Sequence, residues 1–273
     1  FILLWTIWDD EIEECNDISE EKFSKIFTLR GRYDEKLLEE YDGAFNDPIV
    51  LKDDIRDLKD PICISLMKLC YELEDNRSEK FIKKIMNEMK FWIFASIKEN
   101  NNVVEYRNLG KYQSFKNYLM IRKYTIGIIP CLSLMENVIG YEIDSDIFNY
   151  PSLKRIRYIA CVLFSLTNDA FGFWKDIKNN WVNSIIAISQ ENSISFEEAG
   201  KKTVRYHNEL VKEFDILVDS LSQYYDFKVK KWIQSVRELI RGLAESGLRN
   251  KRYFQDRNNN DKKFNMEFSI RYY

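Results

Sequence analysis

The stretch Tyr158–Asn180, YIACVLFSLTNDAFGFWKDIKNN, decides the fold. It follows Pro151, a residue favoured in the first turn of a helix, and runs for nine residues almost without a polar side chain. An apolar run of that length with no alternation of period two reads as part of a buried helix, Ser152 to about Asn180. Its end is the unusual part. Asn168, Asp169 and Asp176 appear where the helix has just been apolar, and polar side chains there are costly unless something satisfies them. Asn168, Gly172 and Asp176 fall at i, i+4 and i+8, so they share one stripe, with Lys175 on a neighbouring face. The stripe reads either as a helix leaving the core and turning polar or as a set of ligands for a hard cation.

Outward from this helix the rest of the chain has the same character. The 273 residues hold nine Gly and four Pro, and 15% of them are aromatic. Few breakers and many apolar-periodic segments predict one all-α domain over 1–273, ending in a polar tail over 256–273. Phe1 to about Cys15, the short pieces 17–30, 34–45, 48–60 and 61–75, and Ser78–Glu99 read as helices. In the last of these Phe81, Ile85, Met89, Trp92 and Ser96 recur at helical spacing. KENNN at Lys98–Asn102 reads as a polar break, followed by a helix over Tyr112–Gly127 and a breaker at Pro130. Ser195-Phe-Glu-Glu198 is a capping box that starts a helix running to about Ser222. A final helix covers Phe227–Glu245, and SGLRN after it reads as a loop.

Composition excludes several classes. The net charge of −3 comes without a basic block, which argues against nucleic acid and anionic lipid as partners. Five scattered cysteines (Cys15, Cys63, Cys70, Cys131 and Cys161) include no CxxC pair, so neither a zinc site nor a disulfide framework is expected, and a cytoplasmic setting is. The longest apolar stretch, Ile126–Met135, contains Gly and Pro and is too short to insert stably in a membrane. The single histidine, His207, has no evident catalytic partner.

A second polar cluster lies near the start. In Asp9-Asp10-Glu11-Ile12-Glu13-Glu14, positions 9 and 13 are one helical turn apart and share a face. Such a run is either a solvated helix end or a carboxylate site for a hard cation such as Mg²⁺. The Asp9 face continues back to Trp5 and Phe1, both large and apolar.

DDEIEE near the start and NDAFGFWKD near residue 170 together resemble the two metal-binding motifs of class I terpene synthases. The resemblance implies an all-α helical bundle around an apolar cavity, three Mg²⁺ ions with Mn²⁺ as an alternative, and an isoprenyl diphosphate substrate. It implies that Asp9 bridges metal, supported by Asp10 and Glu13 or Glu14, and that Asn168, Gly172 and Asp176 hold a further ion. Arg122 stands 46 residues before Asn168, where the family has a diphosphate-sensing Arg, and Thr125 and Ile126 fall on the positions that follow it. Lys175 would contact the diphosphate. Of five Arg-Tyr pairs only Arg252-Tyr253, 84 residues after Asn168, matches the pair that closes over the diphosphate. Trp5, Phe1 and Phe164 would face the substrate chain.

Two residues depart from the family pattern. Gly172 stands where Ser or Thr is usual and Asp176 where Glu is usual, and the latter is similar to members from social amoebae. The expected activity is Mg-dependent ionisation of an acyclic isoprenyl diphosphate, farnesyl ahead of geranyl or geranylgeranyl, to a cyclic or linear terpene, by a monomer or homodimer. A non-catalytic homologue, degenerate or truncated, is the alternative. A trans-prenyltransferase would carry a second Asp-rich motif in place of NDAFGFWKD. Phe1 is not a start methionine, and the helices that precede the Asp-rich motif in the family are expected to be missing from this sequence.

Overall fold

The computed structural model describes residue 73 and residues 76–109, 112–221 and 225–249. These form seven α-helices and a short 3₁₀ turn, with no strand among the described residues. The chain divides into two units, residues 1–100 and 101–273.

In the first unit the described residues lie mainly on α1 (Glu79–Leu109), which continues past residue 100. Ser78 starts it, its Oγ accepting from the Phe81 N–H at 3.1 Å. Phe81, Ile85, Met89, Trp92 and Ser96 are all buried, as their spacing predicts. The break expected at KENNN is not there, because α1 runs through it to Leu109. Asn disfavours a helix by less than about 1 kcal/mol per residue, and with no Gly or Pro in the stretch nothing stops propagation.

The second unit is built around α4 (Pro151–Asn179), against which α2 (Phe115–Thr125), α3 (Ile128–Ile139), α5 (Ser184–Asn192), α6 (Phe196–Leu221) and α7 (Phe227–Arg249) all pack. Every residue of α4 from Ile159 to Thr167 is buried, so the apolar run is a central helix. Pro151 opens it, and Asn180 closes it in the left-handed conformation (φ 54°), with the Trp181 N–H reaching back to the Asp176 carbonyl at 2.8 Å.

Between α2 and α3 the chain breaks at Gly127, not at Pro130. Gly127 takes φ 71°, a conformation that glycine adopts without steric cost, and Pro130 becomes the third residue of α3. There the missing N–H removes no bond within the helix, since the first turn has none to give. The capping box forms as expected, with Glu198 N–H donating to Ser195 Oγ at 3.2 Å and the Ser195 N–H to Glu198 Oε2 at 3.3 Å. Ser246–Arg249 of the loop expected at SGLRN are instead the last turn of α7, which reaches Arg249.

Bonds between helices fix their register in the second unit. The Trp232 indole N–H donates to the Leu132 carbonyl at 2.8 Å, joining α7 to α3, and the Trp232 ring meets Phe148 edge-on. Arg155 of α4 grips Glu213 of α6 with two bonds of 2.6 and 2.7 Å. His207 lies in the core, 4% exposed, with Nε2 3.3 Å from Thr167 Oγ1.

Candidate functional site

The polar end of α4 is where α2, α4 and α5 meet. Arg122, on the last turn of α2, donates from Nη2 to Asn168 Oδ1 at 3.1 Å, joining residues 46 apart in sequence. Its Nε lies 3.6 Å from Asp169 Oδ1. Two of the sequence-predicted residues, Arg122 and Asn168, are thus in direct contact.

Asp169, next to Asn168 in the chain, is completely buried. Tyr118, one turn before Arg122 and also buried, donates its hydroxyl to Asp169 Oδ2 at 2.6 Å, and the Ser184 N–H donates to the same oxygen at 3.0 Å. Burial pushes the Asp169 carboxyl above its usual range, while Arg122, Tyr118 and Ser184 pull the other way. One oxygen of this carboxylate, Oδ2, is therefore satisfied by protein alone, while Oδ1 has only the ion-pair contact with Arg122.

The stripe itself has an uncommon shape. Gly172 is buried, and a Cβ placed on it would sit 3.3 Å from Asp176 Oδ2 and 3.6 Å from Oδ1. The Asp176 carboxylate therefore folds back one turn along α4, over the bare Cα of Gly172 and toward Asn168. It is held there by Asn183, whose Nδ2 donates to Asp176 Oδ2 at 2.6 Å. The same amide donates to the Asp169 carbonyl at 2.9 Å, and its Oδ1 caps α5 by accepting from the Ile185 N–H at 2.9 Å.

The remaining predicted residues lie around this core. Lys175 places Nζ 4.4 Å from the centre of the Trp181 ring, toward the α4–α5 turn. Thr125 is buried and donates to the Arg122 carbonyl at 3.4 Å. Ile126, also buried, keeps right-handed backbone angles (φ −65°, ψ −10°), so the departure from the helix falls one residue later, at Gly127. Phe164 is buried one turn before Asn168. Phe1, Trp5, Asp9, Asp10, Glu13, Glu14, Arg252 and Tyr253 lie outside the described residues.

Sequence reading did not single out Tyr118, Asn183 or Ser184, and it gave Asp169 no role of its own. Asn183 carries a signal in hindsight, since Asn before the apolar run SIIAI marks the start of a helix. Tyr118 carries none, because nothing local shows that it will reach a residue 51 positions away.

The donors present suit a hard cation. An amide oxygen and a carboxylate on one stripe are ligands that Mg²⁺ accepts, and Mg²⁺ commonly takes only one or two protein carboxylates beside substrate phosphates. Among the described residues no group of three or more His, Cys, Asp or Glu could hold a metal alone.

Comparison with known proteins gives the family and the fold. The sequence model of the family described as "Terpene synthase family 2, C-terminal metal binding" matches residues 1–213. The silphinene synthase of Penicillium patulum is 27% identical over 145 residues, covering 52% of this chain and 39% of that protein. Terpene synthase 1 of the social amoeba Dictyostelium purpureum is 24% identical over 172 residues, covering 62% and 44%. The chain thus aligns with less than half the length of either relative. Among solved structures, 2-methylisoborneol synthase from Streptomyces coelicolor, in complex with Mg²⁺ and 2-fluoroneryl diphosphate, superposes with a TM-score of 0.70 over 90% of this chain and 73% of that one. At 15% identity that likeness shows a shared all-α fold.

Proposed function

The chain belongs to terpene synthase family 2, and on that premise we propose that it ionises an acyclic isoprenyl diphosphate. It releases diphosphate and guides the resulting carbocation to a cyclic or linear terpene, with farnesyl diphosphate first among substrates of this class. The carrying observation is the Arg122–Asn168 hydrogen bond of 3.1 Å. It sets a guanidinium, a binder of phosphate oxygens, directly against the oxygen donors of the α4 stripe.

In this reading Asn168 and Asp176 hold Mg²⁺, or Mn²⁺ in its place, together with Asp9, Asp10 and Glu13 or Glu14 of the Asp-rich motif. When bound, the metal supplies positive charge that neutralises the departing diphosphate. Gly172 contributes no side-chain oxygen; its part is to leave room for the Asp176 carboxylate. Arg122 and Lys175 bind diphosphate oxygens, and Asp169 of α4, braced by Tyr118 and Ser184, fixes the position of the Arg122 guanidinium. Thr125 and Ile126 shape the α2 end of the site, and Arg252 and Tyr253 close over the diphosphate. The carbocation needs a dry wall without nucleophiles, to which Trp5 and the buried Phe164 contribute aromatic faces worth about 0.5–2 kcal/mol each. No step requires a side-chain acid or base. The setting is cytoplasmic, as monomer or homodimer, and no helix among the described residues is long and apolar enough to cross a membrane.

The test is incubation of the full-length protein with Mg²⁺ and geranyl, farnesyl or geranylgeranyl diphosphate, followed by analysis of volatile hydrocarbons. Terpenes are expected, and Asp176→Ala abolishes them. Longer diphosphates would make the protein a prenyltransferase. Silence with all three substrates would make it a non-catalytic homologue.

A further inference from the structure

Asn183 is fully buried and spends its amide in three directions. Its Oδ1 accepts from the Ile185 N–H at 2.9 Å, while Nδ2 donates to the Asp169 carbonyl at 2.9 Å and to Asp176 Oδ2 at 2.6 Å. The amide orientation is forced by these partners. Turned over, it would face the Ile185 N–H with its own NH₂ and the Asp176 carboxylate with its own oxygen.

A helix cap alone does not need this residue. Ser, Thr or Asp would supply the acceptor for Ile185 equally well. Only an amide of this length offers, from one rigid plane, an acceptor for the cap and two hydrogens for oxygens on α4. Those hydrogens hold Asp176 where a Cβ on residue 172 would be only 3.3 Å away, which is the posture that brings the shorter carboxylate toward Asn168. The next residue repeats the attachment, since the Ser184 N–H donates to Asp169 Oδ2 at 3.0 Å. Both carboxylates are thereby anchored at the N-terminus of α5, where the helix dipole favours negative charge.

We infer that Asn183 is a positioning residue that sets the Asp176 carboxylate in its ligating posture from the start of the following helix, compensating for the lost methylene at 176 and the lost side chain at 172. The inference rests on reading the α4 stripe as metal-holding. It assigns to Asn183 an effect on metal affinity that a structural cap would not have.

The isosteric Asn183→Asp keeps the cap acceptor and removes both amide donors, and Asn183→Ser keeps a cap acceptor on a shorter side chain whose single hydroxyl hydrogen cannot replace both amide hydrogens, without adding charge. Each is compared with Ser195→Ala, which removes the cap of α6 away from the site. Two quantities are read on full-length protein: the Mg²⁺ concentration at half-maximal thermal shift with inorganic diphosphate, and the Mg²⁺ dependence of turnover. Loss of a group that orients a ligand typically costs about 10–100-fold in metal affinity or activity, and a rise of that size is expected for both Asn183 variants. Ser195→Ala should lower Tm and leave the Mg²⁺ requirement as it was. If only one Asn183 variant folds, the same comparison is made with that one. In the background of Asp176→Asn, where the carboxylate is gone, Asn183→Ser should add little further loss.

An Asn183 variant with the wild-type Mg²⁺ requirement and a Tm loss like that of Ser195→Ala would overturn the inference and leave Asn183 a cap. If the wild-type protein shows no shift with Mg²⁺ and diphosphate, the reading of the stripe itself fails and the inference falls with it, so the two failures are told apart.

Discussion

Two buried glycines within helices, Gly172 of α4 and Gly247 of α7, lie near the same turn of α4, and they make room for different things. Gly247 of α7 faces Phe171, and a Cβ on it would lie 2.4 Å from two carbons of that ring. Gly172 of α4 faces Asp176, and a Cβ on it would lie 3.3 Å from a carboxylate oxygen. In a helix interior each glycine costs about 0.5–1 kcal/mol relative to alanine, so each position must gain something in return. At Gly247 the gain is close approach of two helices, with the Phe171 ring against the bare Cα of Gly247. At Gly172 the gain is a place for a charged group at the end of a short side chain. The first site is packing and does not yield, whereas the second is chemistry and has some play.

The difference can be broken by substitution. Gly247→Ala gives the sharpest result, because helix propensity and packing predict opposite signs. Propensity alone would add up to about 1 kcal/mol of stability. Forcing a methyl into the Phe171 ring costs about 1–3 kcal/mol or more, so a net loss is expected, read as a lower urea midpoint at unchanged slope. A midpoint that rises would show that α7 does not approach α4 this closely.

At Gly172 the expected change is smaller. The neighbour that must yield is a carboxylate at a side-chain end, so Gly172→Ala should alter stability by no more than about 1 kcal/mol in either direction. Gly172→Ser, which adds a hydroxyl beside Asp176, should leave terpene formation intact or improve it. Complete inactivity with the fold preserved, seen by circular dichroism, would mean that the register of the stripe is misassigned.

The smallest effect belongs to a further polar contact of α4, Thr167 with His207. Burial holds the His207 imidazole below its ordinary pKa of 6.5, so the folded protein prefers it neutral. The unfolded chain takes up the proton first as pH falls. Stability from this residue is therefore whole above about pH 6.5 and is lost as pH drops from there through the folded-state value. With one histidine in the chain, His207→Gln should flatten the fall in Tm between about pH 7 and 5. An unchanged slope would place the titration elsewhere.

Much of the fold was legible because its signals are local. Pro151 and the apolar run announced α4, Ser195 and Glu198 announced α6, and the spacing of Phe81, Ile85, Met89 and Trp92 announced α1 with its buried face. The errors share one cause, which is that weak local preferences yield to context. Asn100–Asn102 remained helical, Pro130 moved into a first turn that tolerates it, and Ser246–Arg249 stayed in α7 because Gly247 there serves the contact with Phe171.

By itself the sequence determined the stripe, since Asn168, Gly172 and Asp176 must share a face of any helix with 3.6 residues per turn. It also gave Arg122 as the cation to expect beside it, by resemblance. Only the tertiary structure decided how these groups are held. Tyr118 meets Asp169 across 51 residues and Arg122 meets Asn168 across 46, while Asn183 turns back from the next helix to fix Asp176. A hydrogen bond between distant residues depends on where packing sets two backbones within a few tenths of an ångström, and no periodicity along one chain encodes that.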